Sequence, residues 1–279
     1  MNVIKMMFLF SGALLVFANP VLARNPVYPG NGIFTVMLGY DGGWLDYKEK
    51  NKGAVIDRDT GWLNGANASI KYENTYFFMK GLFEFSGSSN ATYNGALQDG
   101  TPMRMRTWET FYRYEADLGY KLIENRAVEV APYAGIGYRD WERGDDVLPD
   151  YRESYTWPYG AFGVACTAFF ENVSLGVDAA VQTPFDMRME TNVAGTVDKA
   201  AFNLGSKPGY RVELPVTYMA RSSGNIRGFL FLTPYYQHWA IGKSPDVVLT
   251  KNGIPVDTAF EPDSTTDMYG AKAGVGFSF

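Results

Sequence analysis

The sequence predicts an all-β protein, a closed antiparallel transmembrane β-barrel of about ten strands. Three observations carry that prediction. Apolar and polar residues alternate with a period of two over long stretches, connections alternate between short turns and long polar loops, and Tyr, Phe and Gly stand where soluble domains use Leu, Glu and Lys. Of the 279 residues, 16% are aromatic and 20% are charged, and 30 are glycine. A formal net charge of -5 excludes both a basic nucleic-acid footprint and the extreme acidity of a disordered chain. With Cys166 and His238 as the sole cysteine and histidine, neither a disulfide framework nor a Cys/His zinc cluster can form.

The elements follow in order. Residues 1–23 carry Lys5, an apolar run from Met6 to Ala18 and the ending Val21-Leu22-Ala23, which is the pattern of a secretory signal peptide cleaved after Ala23. The run is too short for a membrane anchor, which takes ~20 apolar residues. Residues 24–279 then form one barrel domain. Its clearest strand lies between Trp108 and Leu122, where Trp108, Thr110, Tyr112, Tyr114, Ala116, Leu118 and Tyr120 share one face and Glu109, Arg113, Glu115, Asp117 and Lys121 the other. A helix would scatter both sets around its circumference. Strands are expected near 32–47, 62–72, 76–86, 107–122, 127–142, 154–170, 173–187, 209–220, 226–242 and 267–279. Short turns fall near 73–75, 124–126, 171–172 and 221–225, and long polar loops near 48–61, 87–106, 143–153, 188–208 and 243–266. Prolines 132, 158, 184, 215 and 234 each remove a ladder donor and are expected at bulges or strand ends.

A soluble sandwich also alternates, but it places its apolar face inward. Here the polar face carries charges in near balance of sign, among them Lys71, Lys80, Glu84, Arg139, Asp178 and Arg227. Such charges suit a narrow lumen in which they pair, with the apolar face turned to lipid. Tyr40, Trp44, Trp62, Trp108, Tyr112, Tyr138, Trp141, Tyr155, Trp157, Tyr235, Tyr236 and Trp239 fall near strand ends on the long-loop side, as headgroup-level girdles require, with some of them turned into the lumen.

The last strand ends Lys272-Ala-Gly274-Val-Gly-Phe277-Ser-Phe279. A polar residue, a glycine two positions on and two alternating aromatics ending in Phe resemble the C-terminal assembly signal of Gram-negative outer-membrane β-barrel proteins, the porin-like and small-barrel group. The resemblance implies insertion into the outer membrane, periplasmic termini, and strand addition to an assembly machinery before closure. Its motif covers the last strand alone. The barrel is similar in strand number to the omptins, ten-stranded outer-membrane proteases with paired acids and an Asp/His pair at the extracellular rim. Asp145-Asp146 and His238 are the candidates here, but the residue two before His238 is Tyr236 and the acids are adjacent in sequence, so their side chains diverge on an extended chain. A Ser/His lipid hydrolase would need the same histidine, and neither Gln237 nor Trp239 is an obvious partner.

A non-enzymatic barrel is therefore expected, without cofactor or metal, presenting its loops for surface interaction or in a structural role. Water-filled porins use ~16–18 strands, so a lumen of about ten should be filled. The expected filling is a charge network of Glu109, Arg113, Glu115, Asp117, Lys121, Arg211, Glu213 and Arg227. Inward glycines at 119, 135, 137, 163 and 176 favour the alternative of a narrow channel for small solutes. Expected partners are outer-membrane lipids and lipopolysaccharide, the assembly machinery and an extracellular ligand, and not nucleic acid. In the final loop Asp246, Asp257, Glu261, Asp263 and Asp267 could share divalent cations with anionic lipopolysaccharide.

Overall fold

The structure, a computed structural model, describes residues 32–96, 101–125, 127–145, 151–192, 197–223 and 226–279. The expected leader at 1–23 and Asp146 lie outside them. The chain runs through β1 (Ile33–Asn51), β2 (Ala54–Glu73), β3 (Phe77–Ala96), β4 (Pro102–Tyr120), the two-residue β5 (Ile123–Glu124), β6 (Val128–Asp145), β7 (Arg152–Phe169) and β8 (Val173–Pro184). There follow β9 (Arg188–Asn192), β10 (Ala200–Asn203), β11 (Gly205–Glu213), β12 (Val216–Ser223), β13 (Ile226–Gly242), β14 (Val247–Lys251), β15 (Ile254–Ala259) and β16 (Asp263–Ser278). Neighbours pair antiparallel throughout, and β1 closes on β16 from Thr35↔Ser278 to Lys50↔Asp263. The result is a closed barrel of 10 staves, because β11 and β12 lie in line, both between β8 and β13. β9 and β10 extend the top of the β7 edge, and β14–β15 is a separate hairpin.

Closure follows from the solvent. In hydrocarbon each backbone N–H and C=O needs a partner within the protein, and a sheet meets that demand when it has no edge. The period of two then sorts the side chains. Leu38, Leu118, Ile136, Phe162, Leu175, Leu232 and Val275 are exposed on the outer wall, while Arg113, Glu115, Arg211 and Lys272 are buried inside. The end holding the chain termini, where Phe34 and Phe279 pair through backbone hydrogen bonds, is called lower here.

The strands are longer than their alternation predicts. β1 has 19 residues and β2 and β3 have 20 each, whereas a tilted span needs ~9–11. The expected loop at 48–61 is a two-residue turn, Lys52–Gly53, with both residues at positive φ as a tight type I′ hairpin turn demands. The expected loop at 87–106 is mostly strand, with β3 running to Ala96 and β4 starting at Pro102. These upper walls escaped detection because both of their faces are polar there: Lys48, Arg58 and Arg104 point outward, and Glu49, Asp57 and Asp59 inward. The alternation of apolar with polar residues therefore stops where lipid stops, although the strands continue.

Two of the five prolines meet the expectation of a bulge or strand end, and three do not. Pro215 falls at the break between β11 and β12, and Pro184 ends β8. Pro132, Pro158 and Pro234 sit inside their strands, each opposite an interruption in a neighbour. Pro234 accepts from Leu214 N beside the β11–β12 break, Pro158 accepts from Phe185 N just past the end of β8, and Pro132 faces the gap between β4 and β5. A missing donor costs little where no acceptor waits for it.

At the closing seam Gly274 lies against β1 so closely that a Cβ would stand 2.1 Å from Leu38 O. At Gly81, on the lipid-facing wall, a Cβ would meet Ile70 Cγ2 at 3.4 Å. Gly274→Val is accordingly expected to block closure and abolish the compact, heat-modifiable species in semi-native electrophoresis, while Gly81→Val keeps it.

Candidate functional site

The lumen is built in layers from inward positions. At the bottom, Lys121 reaches Glu73 at 3.0 Å, Glu129 at 3.1 Å and Glu124 at 3.3 Å. The middle layer joins β3, β4, β11 and β16. Arg113 donates to Glu84 at 2.7 Å and lies 3.8 Å from Glu213, and Lys272 pairs with both carboxylates, at 2.7 Å from Glu213. Arg211 bridges Glu115 at 2.9 Å and Glu213 at 3.5 Å, and Glu115 also accepts from Tyr159 at 2.7 Å and Gln182 at 3.2 Å. Each charge has an opposite charge within reach, which is the condition for tolerating ions away from water.

Five of the eight expected network residues take part in these two layers: Arg113, Glu115, Lys121, Arg211 and Glu213. Lys121 stands apart at the bottom. Asp117 is buried beside Gly135 and makes none of these ion pairs. Glu109 belongs to a higher layer, and Arg227, near the lower end, makes no ion pair among the described residues. Lys272, expected as part of the assembly signal, is a central member of the network, since position 272 has the inward parity. Gly274 lies at the seam, and Phe277 and Phe279 are exposed.

Above the ions the filling changes character. Arg139 is buried with no carboxylate partner among the described residues; it donates to Gln237 at 3.2 Å and its guanidinium faces the rings of Phe111, Trp157 and Trp239 at 5.0, 5.6 and 5.3 Å. These rings substitute for a counter-ion through their negative faces. They belong to a core of Leu45, Tyr47, Leu63, Trp141, Tyr155, Trp157, Trp239, Ile241 and Met268, against which Val247 and Leu249 of β14 and Ala259 of β15 pack. Trp141, Tyr155, Trp157, Tyr235 and Trp239 thus line the lumen, because they share parity with Arg139, Arg143, Gln237 and Tyr159, and not the outer girdle. Charge pairs alone do not fill the interior; its upper half is an aromatic core.

The glycines leave no path. Phe78 lies over Gly119, Tyr159 over Gly137 and Tyr133 over Gly163, each ring where a Cβ would otherwise sit. The cavity lined by Arg113, Arg139, Glu213 and Lys272 measures about 20 Å³, room for about one water.

At the top, Glu49, Asp59, Glu109 and Glu153 surround Arg143, with Asp59 at 3.2 Å and the others at 3.6–3.8 Å. Tyr155 Oη lies 2.7 Å from Glu261 and Tyr93 donates to Asp57 at 3.3 Å. Burial, reinforced by Glu153, pushes Glu261 up to about 8, and burial reinforced by Glu261 and Asp57 holds Glu49 well above the usual carboxylate range. The remaining final-loop acids are dispersed: Asp263 binds Lys207, Asp267 binds His238, and Asp246 and Asp257 are exposed. Among the described residues no cluster of acids and histidines could hold a metal ion.

His238 has a partner that sequence order concealed. Its Nδ1 lies 2.7 Å from Asp267 Oδ1, across the β13–β16 register, and Tyr236 donates to the same oxygen at 2.6 Å. This pair faces outward, stacked on Tyr210, and not into the lumen. A cross-strand partner is invisible to a search of sequence neighbours until the register is known.

Neither a protein-family model nor a curated protein matches the chain. Among solved structures it is similar to the outer-membrane protease OmpT from Escherichia coli, at 10% identity and a TM-score of 0.63, covering 92% of this chain and 99% of that one. The outer-membrane protein OprG from Pseudomonas aeruginosa matches at 10% identity and 0.41, covering 89% and 96%. The translocator domain of the autotransporter NalP from Neisseria meningitidis matches at 7% and 0.43, covering 99% and 94%. The likeness is one of fold, and an outer-membrane barrel fits the chain.

Two outcomes follow. Arg211→Met leaves Glu115 buried without its guanidinium and is expected to destabilise the barrel by ~3–5 kcal/mol, read as a lower urea midpoint in lipid vesicles. Because Glu261 has a higher pKa when folded than its ordinary 4.5, its contribution is full below pH 4.5 and is lost as pH rises through about 8. The thermal midpoint of the upper end should therefore fall between pH 5 and 8.5 in near-UV circular dichroism, and Glu261→Gln should flatten that fall.

Proposed function

We propose that the chain is a non-enzymatic outer-membrane barrel with a closed lumen, which holds its upper end outside the cell as a rigid platform for surface interaction. The filled interior carries this reading: a cavity of about 20 Å³ amid the central ions has no room for a solute, and the aromatic core above it seals the same axis. Strands twice the length a membrane needs lift the hairpin tips clear of the bilayer. Val55 and Ile56 at one tip and Val248, Ile254 and Val256 at another are exposed there, where an extracellular ligand would meet them. In this reading the termini are periplasmic, and Phe277 and Phe279 act with the rest of β16 as the assembly signal. Such a protein needs no cofactor, and its standing partners are outer-membrane lipid and lipopolysaccharide.

Refolded protein in a planar bilayer is expected to be electrically silent; discrete, reproducible openings would replace the closed barrel with a channel. Purified protein is likewise expected not to cleave peptides or lipid esters. Hydrolysis abolished by His238→Ala would overturn the non-enzymatic part of the proposal.

A further inference from the structure

The outer wall of β1, β2 and β4 repeats one spacing. Lys48 stands four residues above Trp44, Arg58 four above Trp62, and Arg104 four above Trp108, with Arg106 between the last two. The register aligns them. Tyr236, Tyr269, Trp44 and Trp62 are successive cross-strand partners and form a row of the upper aromatic girdle. Lys48, Arg58, Asn94 and Arg104 are successive partners in a parallel row, and Thr60, Thr92 and Arg106 make the row between. Direct partners in an antiparallel pair point to the same face. Arg58, Arg104 and Arg106 are exposed on that face.

Two and four residues along a strand tilted by ~40° amount to roughly 5 and 10 Å of height above the girdle. The nearer row lies within the headgroup layer, which adds ~5–8 Å to each side of the hydrocarbon, and the farther row stands at its outer edge. The charge there is unbalanced. Asp46 serves both Lys48, at 2.7 Å, and Arg58, at 2.7 and 2.8 Å, while Arg104 and Arg106 make no ion pair among the described residues. Beside them Arg58, Asn94 and Arg104 line an open groove of about 430 Å³ whose remaining wall includes Val55, Ile56 and Met103, with Asp57 as its one acidic residue. A planar guanidinium fork is suited to phosphate oxygens, and an apolar wall beside it suits an amphiphile.

We propose that Lys48, Arg58, Arg104 and Arg106 form a binding site on the outer wall for the phosphorylated headgroup of an outer-leaflet lipid. The proposal rests on the outer-membrane reading of the barrel and names the lipid chemistry which that membrane must offer. Height selects a lipid over a soluble polyanion: acyl chains would lie along the apolar wall below the tryptophans while the phosphates reach the arginines. The arrangement does not depend on the lumen, and it touches a hairpin tip only through Val55 and Ile56 at the upper edge of the groove.

The test uses the refolded mature chain in neutral detergent, titrated with diphosphorylated lipid A and with its dephosphorylated analogue. Trp44, Trp62 and Trp108 report binding by fluorescence. The triple variant Arg58→Gln, Arg104→Gln, Arg106→Gln is expected to lose at least about tenfold in affinity for the phosphorylated lipid and to bind the two lipids alike. Replacing the same residues by Lys should retain most of the affinity, and Arg188→Gln with Lys199→Gln, on β9 and beside β10, should change nothing. A folded triple variant that binds as the parent does, equal binding of both lipids by the parent, or displacement of the lipid by inositol hexaphosphate would each overturn the proposal. Failure of the parent chain to insert into lipid would instead strike the barrel reading itself.

Discussion

A narrow cylinder of hydrogen-bonded backbone must be filled, and the character of this protein follows from how it is filled. Ten staves enclose a space too small for a column of water and too large to stay empty, since an unfilled interior would forfeit packing on every side. The chain uses two materials. Where the wall outside is lipid, the inside is ionic, with Arg113, Arg211 and Lys272 shared among Glu84, Glu115 and Glu213. Where the wall rises into water, the inside becomes aromatic and aliphatic, as in a soluble domain.

The inversion has a simple cause. Within the membrane the outer positions must be apolar, and a strand that is apolar on both faces would be a hazard during passage to the membrane, so the inner positions carry charge. Above the membrane the outer positions can be polar, which frees the inner ones for Trp141, Trp157 and Trp239. Arg139 lies at the boundary and belongs to both regimes, a cation held by aromatic faces. The buried carboxylates at the top show the limit of the scheme. Around Arg143 acids outnumber cations, and burial raises Glu49 and Glu261.

Much of this was legible in the sequence. The alternation from Trp108 to Leu122 specified a strand, its outer face and the inward set from Glu109 to Lys121, and the sum of such strands gave the barrel. The upper walls were not legible, because Lys48 and Glu49 are both polar and alternation of charge with charge carries no signal. Nor were the layers, since inward parity says that Glu109 and Glu115 point the same way but not that one pairs with Arg143 and the other, three pleat repeats away, with Arg211. The pairing of His238 with Asp267, 29 residues apart, required the register. By contrast, the recurrence of a cation four residues from a tryptophan was visible all along and acquired meaning when the rows were aligned.

The seam between β1 and β16 bears on how the molecule is made. Thr35 and Ser278 share a hydrogen bond across 243 residues of chain, and the register of that seam runs its full length. Neighbouring hairpins such as β1–β2 can form from local encounters, whereas this contact must wait until the two ends of the chain meet, at the greatest loop-closure entropy the topology offers. The last ladder to form is therefore also the one whose absence leaves two long edges open in the membrane. Until it forms, the protein is a curved sheet and not yet a barrel, and closing it means bringing together the first strand and the last.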